Sequence, residues 1–389
     1  MVKAGIDRIC ESWARSLLQG KRIGLCTGAS GLDCNYLGTI EAMAKEYRVV
    51  ALYAPEHGSR GVLGPGEAVP GGTDELTGIA SYSLFRDMVF SEDEQQKSSV
   101  YAPAELPIDI MVFDMQDVGS RYFTYASTLF YCMKACALHG IPLCVLDRPN
   151  PIGGAVQGNV SDPEMASFIG LTQVPIRHGM TLGELARMYN GEYGLGCELH
   201  VIGLDGWHRD MFYSDTGLPF VKPSPNLPTM DAITVYNGTC LFAGTNVSEG
   251  RGTTTPFTTV GAPYIHPVRY AERMNSLHLP GLAFSPAYFK PSFGKHEGKV
   301  CYGVNIHVLD QKAVRPVDLG VYMMRTLQDM YPHEFAFNPP PEGGRWHIDL
   351  ASGNRDLRTS SLSAAEILAR WQAQAQSFMP IYQKYQLYE

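Results

Sequence analysis

Three segments of this chain place acids, an imidazole and guanidinium groups directly after short apolar runs. Val49 to Tyr53 runs into Ala54-Pro55-Glu56-His57-Gly58-Ser59-Arg60. Ile108 to Phe113 runs into Asp114-Met115-Gln116-Asp117-Val118-Gly119-Ser120-Arg121, and Leu143 to Leu146 into Asp147-Arg148-Pro149-Asn150-Pro151. Cleavage of a glycosidic bond needs two carboxyl groups, one giving a proton to the leaving oxygen and the other acting as base or nucleophile. Glu56, Asp114, Asp117, Asp147 and, further along, Glu249 are the candidates. Arg60, Arg121, Arg148 and Arg251 could hold a carboxylate on the substrate, since a guanidinium presents a planar fork of donors. The competing chemistry is a hydrolytic metal site with His57, His178, Asp114 and Asp117 as ligands. No His-x-x-x-His or equivalent spacing supports it, and no metal or other cofactor is expected.

Other chemistries find less support. A Gly-x-Ser-x-Gly nucleophile elbow does not occur at a strand end. Thr27-Gly28-Ala29-Ser30-Gly31 resembles a phosphate loop only loosely, without the dinucleotide pattern or a Gly-Lys-Ser/Thr ending. Glu249 and Arg251 lie in a run of small polar residues from Thr245-Asn246 to Thr253, suited either to hydrogen bonding an anionic, hydroxylated ligand or to a local ion pair.

The elements that must carry these residues alternate. Ile6 to Leu18 has the spacing of an amphipathic helix, Arg22 to Cys26 that of a buried strand, and Thr39 to Tyr47 that of a second helix. A loop rich in glycine and proline spans 62–78, and Ser91 to Ser99 reads as a solvated surface segment. After the third strand comes a helix, Tyr125 to His139, stopped by Gly140, then the fourth strand. Strand and helix in alternation argue for parallel βαβ units in an α/β fold with helices on both faces. Three charged strand ends then share one sheet edge, where ligands of such sheets bind.

Beyond them, Thr181 is expected to cap a helix with Glu184 closing a capping box. Glu198 to Leu204 could be a fifth strand, and the proline-rich Pro223 to Thr229 a rigid linker or cleft wall. Val300 to Leu309 reads as a strand, with helices at Val317 to Tyr331 and Ser363 to Gln386.

With 389 residues the chain has room for two domains, and 45% hydrophobic with 18% charged residues excludes disorder. A net charge of −8 gives no footprint for nucleic acid. No apolar run approaches the ~18 residues a membrane helix needs, so no membrane insertion is expected. The opening Met1-Val2-Lys3-Ala4-Gly5-Ile6-Asp7 lacks a signal-peptide pattern. Nine cysteines scattered without a Cys-x-x-Cys pair suit reduced thiols in the cytoplasm. The residues set no oligomeric state.

At these motifs the sequence resembles the exo-β-N-acetylmuramidases of peptidoglycan turnover, long grouped as a domain family of unknown function. The resemblance runs from about Gly5 to Arg358. It rests on the three strand-end segments and, in the same order, on Arg177-His178-Gly179-Met180-Thr181, Pro223-Ser224-Pro225-Asn226 and Thr245-Asn246-Val247-Ser248-Glu249-Gly250-Arg251-Gly252-Thr253. It implies a hydrolase that removes terminal N-acetylmuramic acid from the non-reducing end of peptidoglycan fragments.

It further implies a Rossmann-like, mostly parallel domain over 1–235, a smaller α+β domain over 236–389, and an active-site cleft between them. Glu56 would be the general acid/base, partnered by Asp114 or Asp117, with Glu249 as the rival partner. Arg121 and Arg251 would read the lactyl carboxylate, and His57, Arg60, Gln116, Arg148, His178 and Asn246 would complete the substrate site. A cytoplasmic member would process saccharides or muropeptides imported during wall recycling. The reading from another class is a non-catalytic sugar- or muropeptide-binding protein on the same frame, which has no need for two acids at one glycosidic oxygen.

Overall fold

A computed structural model describes residues 1–84 and 108–389, so the segment Ser91 to Ser99 lies outside the described residues. The strands of the first half are β1 (Ile23–Thr27), β2 (Val49–Ala54), β3 (Gly72–Thr73), β4 (Ala80–Ser83), β5 (Ile110–Asp114), β6 (Leu143–Leu146), β7 (Gln157–Val160), β8 (Pro175–Arg177) and β9 (Leu199–Ile202). Seven of them make one sheet in the order β3-β4-β2-β1-β5-β6-β9, parallel throughout except for β3. The chain starts in the middle, winds out to one edge, and returns past β1 to build the other, so the winding reverses between β1 and β5. That is a Rossmann-like arrangement, with its ligand edge at the carboxyl ends of the strands.

Every residue of β1 and β5 is buried, as strands covered on both faces must be. Successive side chains leave opposite faces. Met111 and Phe113 of β5 therefore enter one core with Tyr53 and helix α3 (Tyr125–His139), while Ile110 and Val112 enter another with Leu18, Leu25 and Leu52. Helix α1 (Ser12–Leu18) and α2 (Thr39–Glu46) cover the second face.

The expected helix from Ile6 is broken in two. Gly5–Arg8 is a 3-10 turn pinned to the sheet by Gly5 N–H on Asp147 O at 2.8 Å, and the chain turns extended at Glu11 before α1 begins. Helix α4 (Leu182–Glu192) starts as the sequence requires, with Thr181 as N-cap and Glu184 completing the box.

The second half begins with α5 (Met230–Thr239) and holds β10 (Thr259–Ala262), α6 (Pro267–Asn275), β11 (Leu282–Phe289), β12 (Cys301–Val308), α7 (Pro316–Met330), α8 (His347–Ser352) and α9 (Ala364–Tyr385). Its three strands form an antiparallel sheet in the order β10-β12-β11. Pro286 sits in β11, on an edge where its missing N–H costs no ladder bond. The chain's last turn ties the halves together: Tyr382 donates to Gly154 O at 2.7 Å and Tyr388 to Asp147 at 2.6 Å. All nine cysteines are free, seven of them buried. Among the described residues no helix is long and apolar enough to cross a membrane.

Candidate active site

Beyond the carboxyl ends of the parallel strands lies a small cavity of about 120 Å³ that opens to solvent. Both halves build it. Glu56, His57, Thr124, Ser224 and Asn226 come from the first, and Tyr236, Cys240, Arg251, Phe257 and His347 from the second. Among the described lining residues Glu56 is the one carboxylate.

Glu56 is half-buried and held at both oxygens. Gly66 N–H donates to Oε1 at 3.0 Å and the Thr124 hydroxyl to Oε2 at 2.6 Å. Pro55 ends β2 and carries the carboxyl one layer beyond the sheet. The loop that follows is tethered by Arg60, which takes Asp74 with two bonds of 2.9 Å and Glu41 with one of 2.6 Å. Arg60 thus shapes the loop that brings Gly66 to Glu56, and it does not line the cavity.

The tether carries a pH signature. The Arg60 guanidinium lowers Asp74 to about 2, below its ordinary 3.8. Its stabilisation is present above pH ~4 and is lost as pH falls toward 2. Asp74→Asn is expected to remove about 1 kcal/mol at neutral pH, allowing for solvent screening, and to flatten the acid limb of unfolding curves taken between pH 5 and 2.

His57 adopts φ +73°, rare for a residue with a side chain, and Phe257 across the cavity adopts +64°. Strain of this kind persists where the surroundings over-determine a residue, and it collects at functional sites. His57 Nδ1 donates to Leu63 O at 3.0 Å, which leaves Nε2 of the neutral ring as an acceptor. Tyr122, Tyr236 and Phe257 form an edge-to-face cluster, with Tyr236 centred 5.6 Å from Tyr122 and 4.8 Å from Phe257.

Arg251 stands over the Phe257 ring at 5.2 Å, with Nη1 3.3 Å from Glu249 Oε1. Gly250 and Gly252 flank it at φ +80° and +81°, and a Cβ on either would meet backbone atoms at 2.5–2.6 Å. Only glycine lets the turn present the guanidinium this way. His347, at the start of α8, is open to the cavity, and burial with Lys295 and Arg251 nearby lowers its pKa below the ordinary 6.5.

Comparison with known proteins decides the family. Residues 23–231 match the family model for the N-terminal part of the exo-β-N-acetylmuramidase NamZ, and residues 234–388 the model for its C-terminal part. The chain belongs to the NamZ family. It is 40% identical over 393 residues to the peptidoglycan β-N-acetylmuramidase NamZ of Bacillus subtilis strain 168, covering all of this chain and 91% of the relative. Two crystal structures of DUF1343 family proteins from Bacteroides fragilis NCTC 9343 share the fold across all of this chain and 99% of theirs. One has a TM-score of 0.88 at 33% identity, the other 0.75 at 31%.

Within this NamZ-family fold, the other residues singled out in the sequence lie outside the cavity lining. Asp114 is fully buried and accepts from Arg148 at 2.5 and 2.8 Å and from the Thr39 hydroxyl. Asp147 accepts from Thr181, Gly183 and Tyr388, and burial pushes it up to about 6. Asp117 Oδ2 accepts from Gly119 N–H at 2.6 Å and lies 3.4 Å from His178 Nε2, while His178 Nδ1 accepts from Met180 N–H. Gln116 donates to two backbone carbonyls, and Asn246 joins Glu334, Ala336 and Tyr264.

Arg121, expected to read a ligand carboxylate, instead gives its donors to the carbonyls of Asn159, Val174, Ala351 and Ser352, and burial pushes it down to about 10. It thereby holds the C-terminal end of α8, whose first residue, His347, reaches the cavity. His57 and Asp114 turn to partners outside this set, His178 and Asp117 face each other, and among the described residues no three His, Cys, Asp or Glu side chains gather as metal ligands would. Thr124, Tyr236, Cys240 and His347 also line the cavity, and no motif in the sequence marks them. Ser224 and Asn226 lie on the proline-rich segment expected as a rigid linker or cleft wall, and both line the cavity.

Proposed function

We propose that this protein is a glycoside hydrolase that releases N-acetylmuramic acid from the non-reducing end of peptidoglycan fragments. The observation that carries the reading is one cavity in which a tethered carboxyl group, Glu56, shares the wall with a guanidinium, Arg251. Glu56 gives its proton to the glycosidic oxygen as the C1–O bond breaks, which prevents an alkoxide from having to leave, and the resulting carboxylate then takes a proton from the water that bonds to C1 in place of the departed sugar. Arg251 reads the lactyl carboxylate that separates muramic acid from glucosamine. His57 Nε2 accepts a sugar hydroxyl, and Ser224 and Asn226 reach the remaining polar groups from their proline-stiffened segment. The aromatic cluster offers an apolar face to the ring.

In this reading residues 1–235 and 236–389 are the two domains, with the cavity in the cleft between them. The family-model boundary between 231 and 234 and the contribution of both halves to the lining support that division. Nine free thiols suit a reducing compartment, and the protein acts in the cytoplasm on fragments recovered from the wall.

The test is hydrolysis of a β-linked N-acetylmuramic acid–N-acetylglucosamine disaccharide, with an N-acetylglucosamine-terminated disaccharide as control. Free N-acetylmuramic acid is expected from the first and little product from the second. Binding of both sugars without turnover would replace the enzyme with a binding protein.

A further inference from the structure

Arg251 faces a difficulty that its sequence motif conceals. A carboxylate two residues earlier, Glu249, lies 3.3 Å from its guanidinium and is almost wholly buried. A guanidinium already matched by a buried carboxylate has no net charge to offer an anionic ligand. The structure resolves this through a third residue, from the loop between β11 and β12. Lys295 Nζ lies 2.9 Å from Glu249 Oε2 and also donates to Phe242 O at 2.6 Å and Val247 O at 3.0 Å. Each oxygen of Glu249 thus faces a different cation, and the trio keeps one net positive charge. Lys295 sits behind the wall, while Arg251 is the member that lines the cavity. The loop is fastened to the Arg251 turn by Ser292, whose N–H and hydroxyl both donate to Gly252 O, and by His296 on Asn246 O.

We propose that Lys295 is a specificity-determining positioning residue: by neutralising Glu249 it leaves the charge of Arg251 free for a sugar that bears a carboxylate. The inference rests on the reading of the cavity as a muramic acid site. Lys295 touches no substrate. Glu249 holds the guanidinium in place, and Lys295 keeps that hold from cancelling the charge.

The experiment compares an aryl β-N-acetylmuraminide with the matching β-N-acetylglucosaminide on the wild-type protein, Lys295→Met, and Lys295→Met/Glu249→Gln. Lys295→Met is expected to raise KM for the muraminide about tenfold or more, the effect of losing a charge-assisted contact, with kcat changed much less and the glucosaminide unaffected. Adding Glu249→Gln is expected to restore most of the lost affinity. A merely structural role for Lys295 predicts that a second substitution in the same buried cluster makes matters worse.

An unchanged muraminide KM in Lys295→Met, or a double variant no better than the single one, overturns the proposal while leaving the muramidase reading intact. A wild-type protein that does not distinguish the two glycosides overturns both. Should Lys295→Met not fold, Glu249→Gln alone carries the test. The amide oxygen of the new side chain can still accept from Arg251 and keep it in place, while the site gains a net positive charge, so KM for the muraminide is expected to fall a few-fold, and a rise overturns the proposal.

Discussion

Glu56→Gln is expected to cut turnover of the muramic acid disaccharide by roughly 10²- to 10⁴-fold, the range that a general acid contributes, while substrate binding and the melting temperature stay near wild type. The substitution keeps the shape of the side chain. Gly66 N–H can still donate to the remaining oxygen, and the Thr124 hydroxyl can turn to accept from the new amide in place of donating to Oε2. What disappears is the proton. The decisive comparison is therefore between leaving groups. A sugar leaving group needs protonation as the bond breaks, whereas a nitrophenolate with strongly withdrawing substituents departs unaided. The variant is expected to lose far more activity on the disaccharide than on the activated aryl glycoside. Equal losses on both would move Glu56 from acid to some other duty, such as steadying charge at the anomeric carbon.

Glu56 and Asp114 show which part of this site could be read from the residue order and which could not. Both follow apolar runs at the carboxyl ends of strands of one sheet, Glu56 just past β2 and Asp114 closing β5. The shared edge was legible because alternation of strands and helices forces it. The difference between the two acids depends on depth. Asp114 is the last residue of its strand, still in the sheet layer, and β6 is its neighbour, so Arg148 just past the end of β6 meets it. Glu56 lies two residues past β2, beyond a proline, where the next layer is open. A one-dimensional pattern does not say whether a polar group at a strand end will be satisfied by the protein or left for a ligand. The same limit hid the roles of Arg121, absorbed by four carbonyls, and Lys295, which arrives from a loop with no motif of its own. It also hid β4, whose Ala80-Ser81-Tyr82-Ser83 lacks an apolar run and forms because β2 offers it an unpaired edge.

The counterpart substitution, Asp114→Asn, is expected to do the reverse of Glu56→Gln: to destabilise the fold by roughly 3–5 kcal/mol, as breaking one partner of a buried ion pair does, and to leave kcat of the folded protein within a few-fold. The carboxylate has no exposed surface and accepts from Arg148 Nε and Nη2 and from Thr39, a donor set that uses both oxygens. An amide nitrogen in place of one oxygen points donor at donor and leaves a buried guanidinium without its counter-charge. Arg148 also donates to Leu32 O at 3.1 Å, so the loop after β1 loosens with it. Thermal melts would show the stability loss, and kcat per folded molecule, measured well below the new melting temperature, would show whether chemistry is touched. A kcat loss matching that of Glu56→Gln would return Asp114 to the reaction. The pair itself supplies the control. Replacing both members with apolar residues, as Asp114→Leu/Arg148→Met, removes the uncompensated charge and is expected to be less destabilising than Asp114→Asn alone.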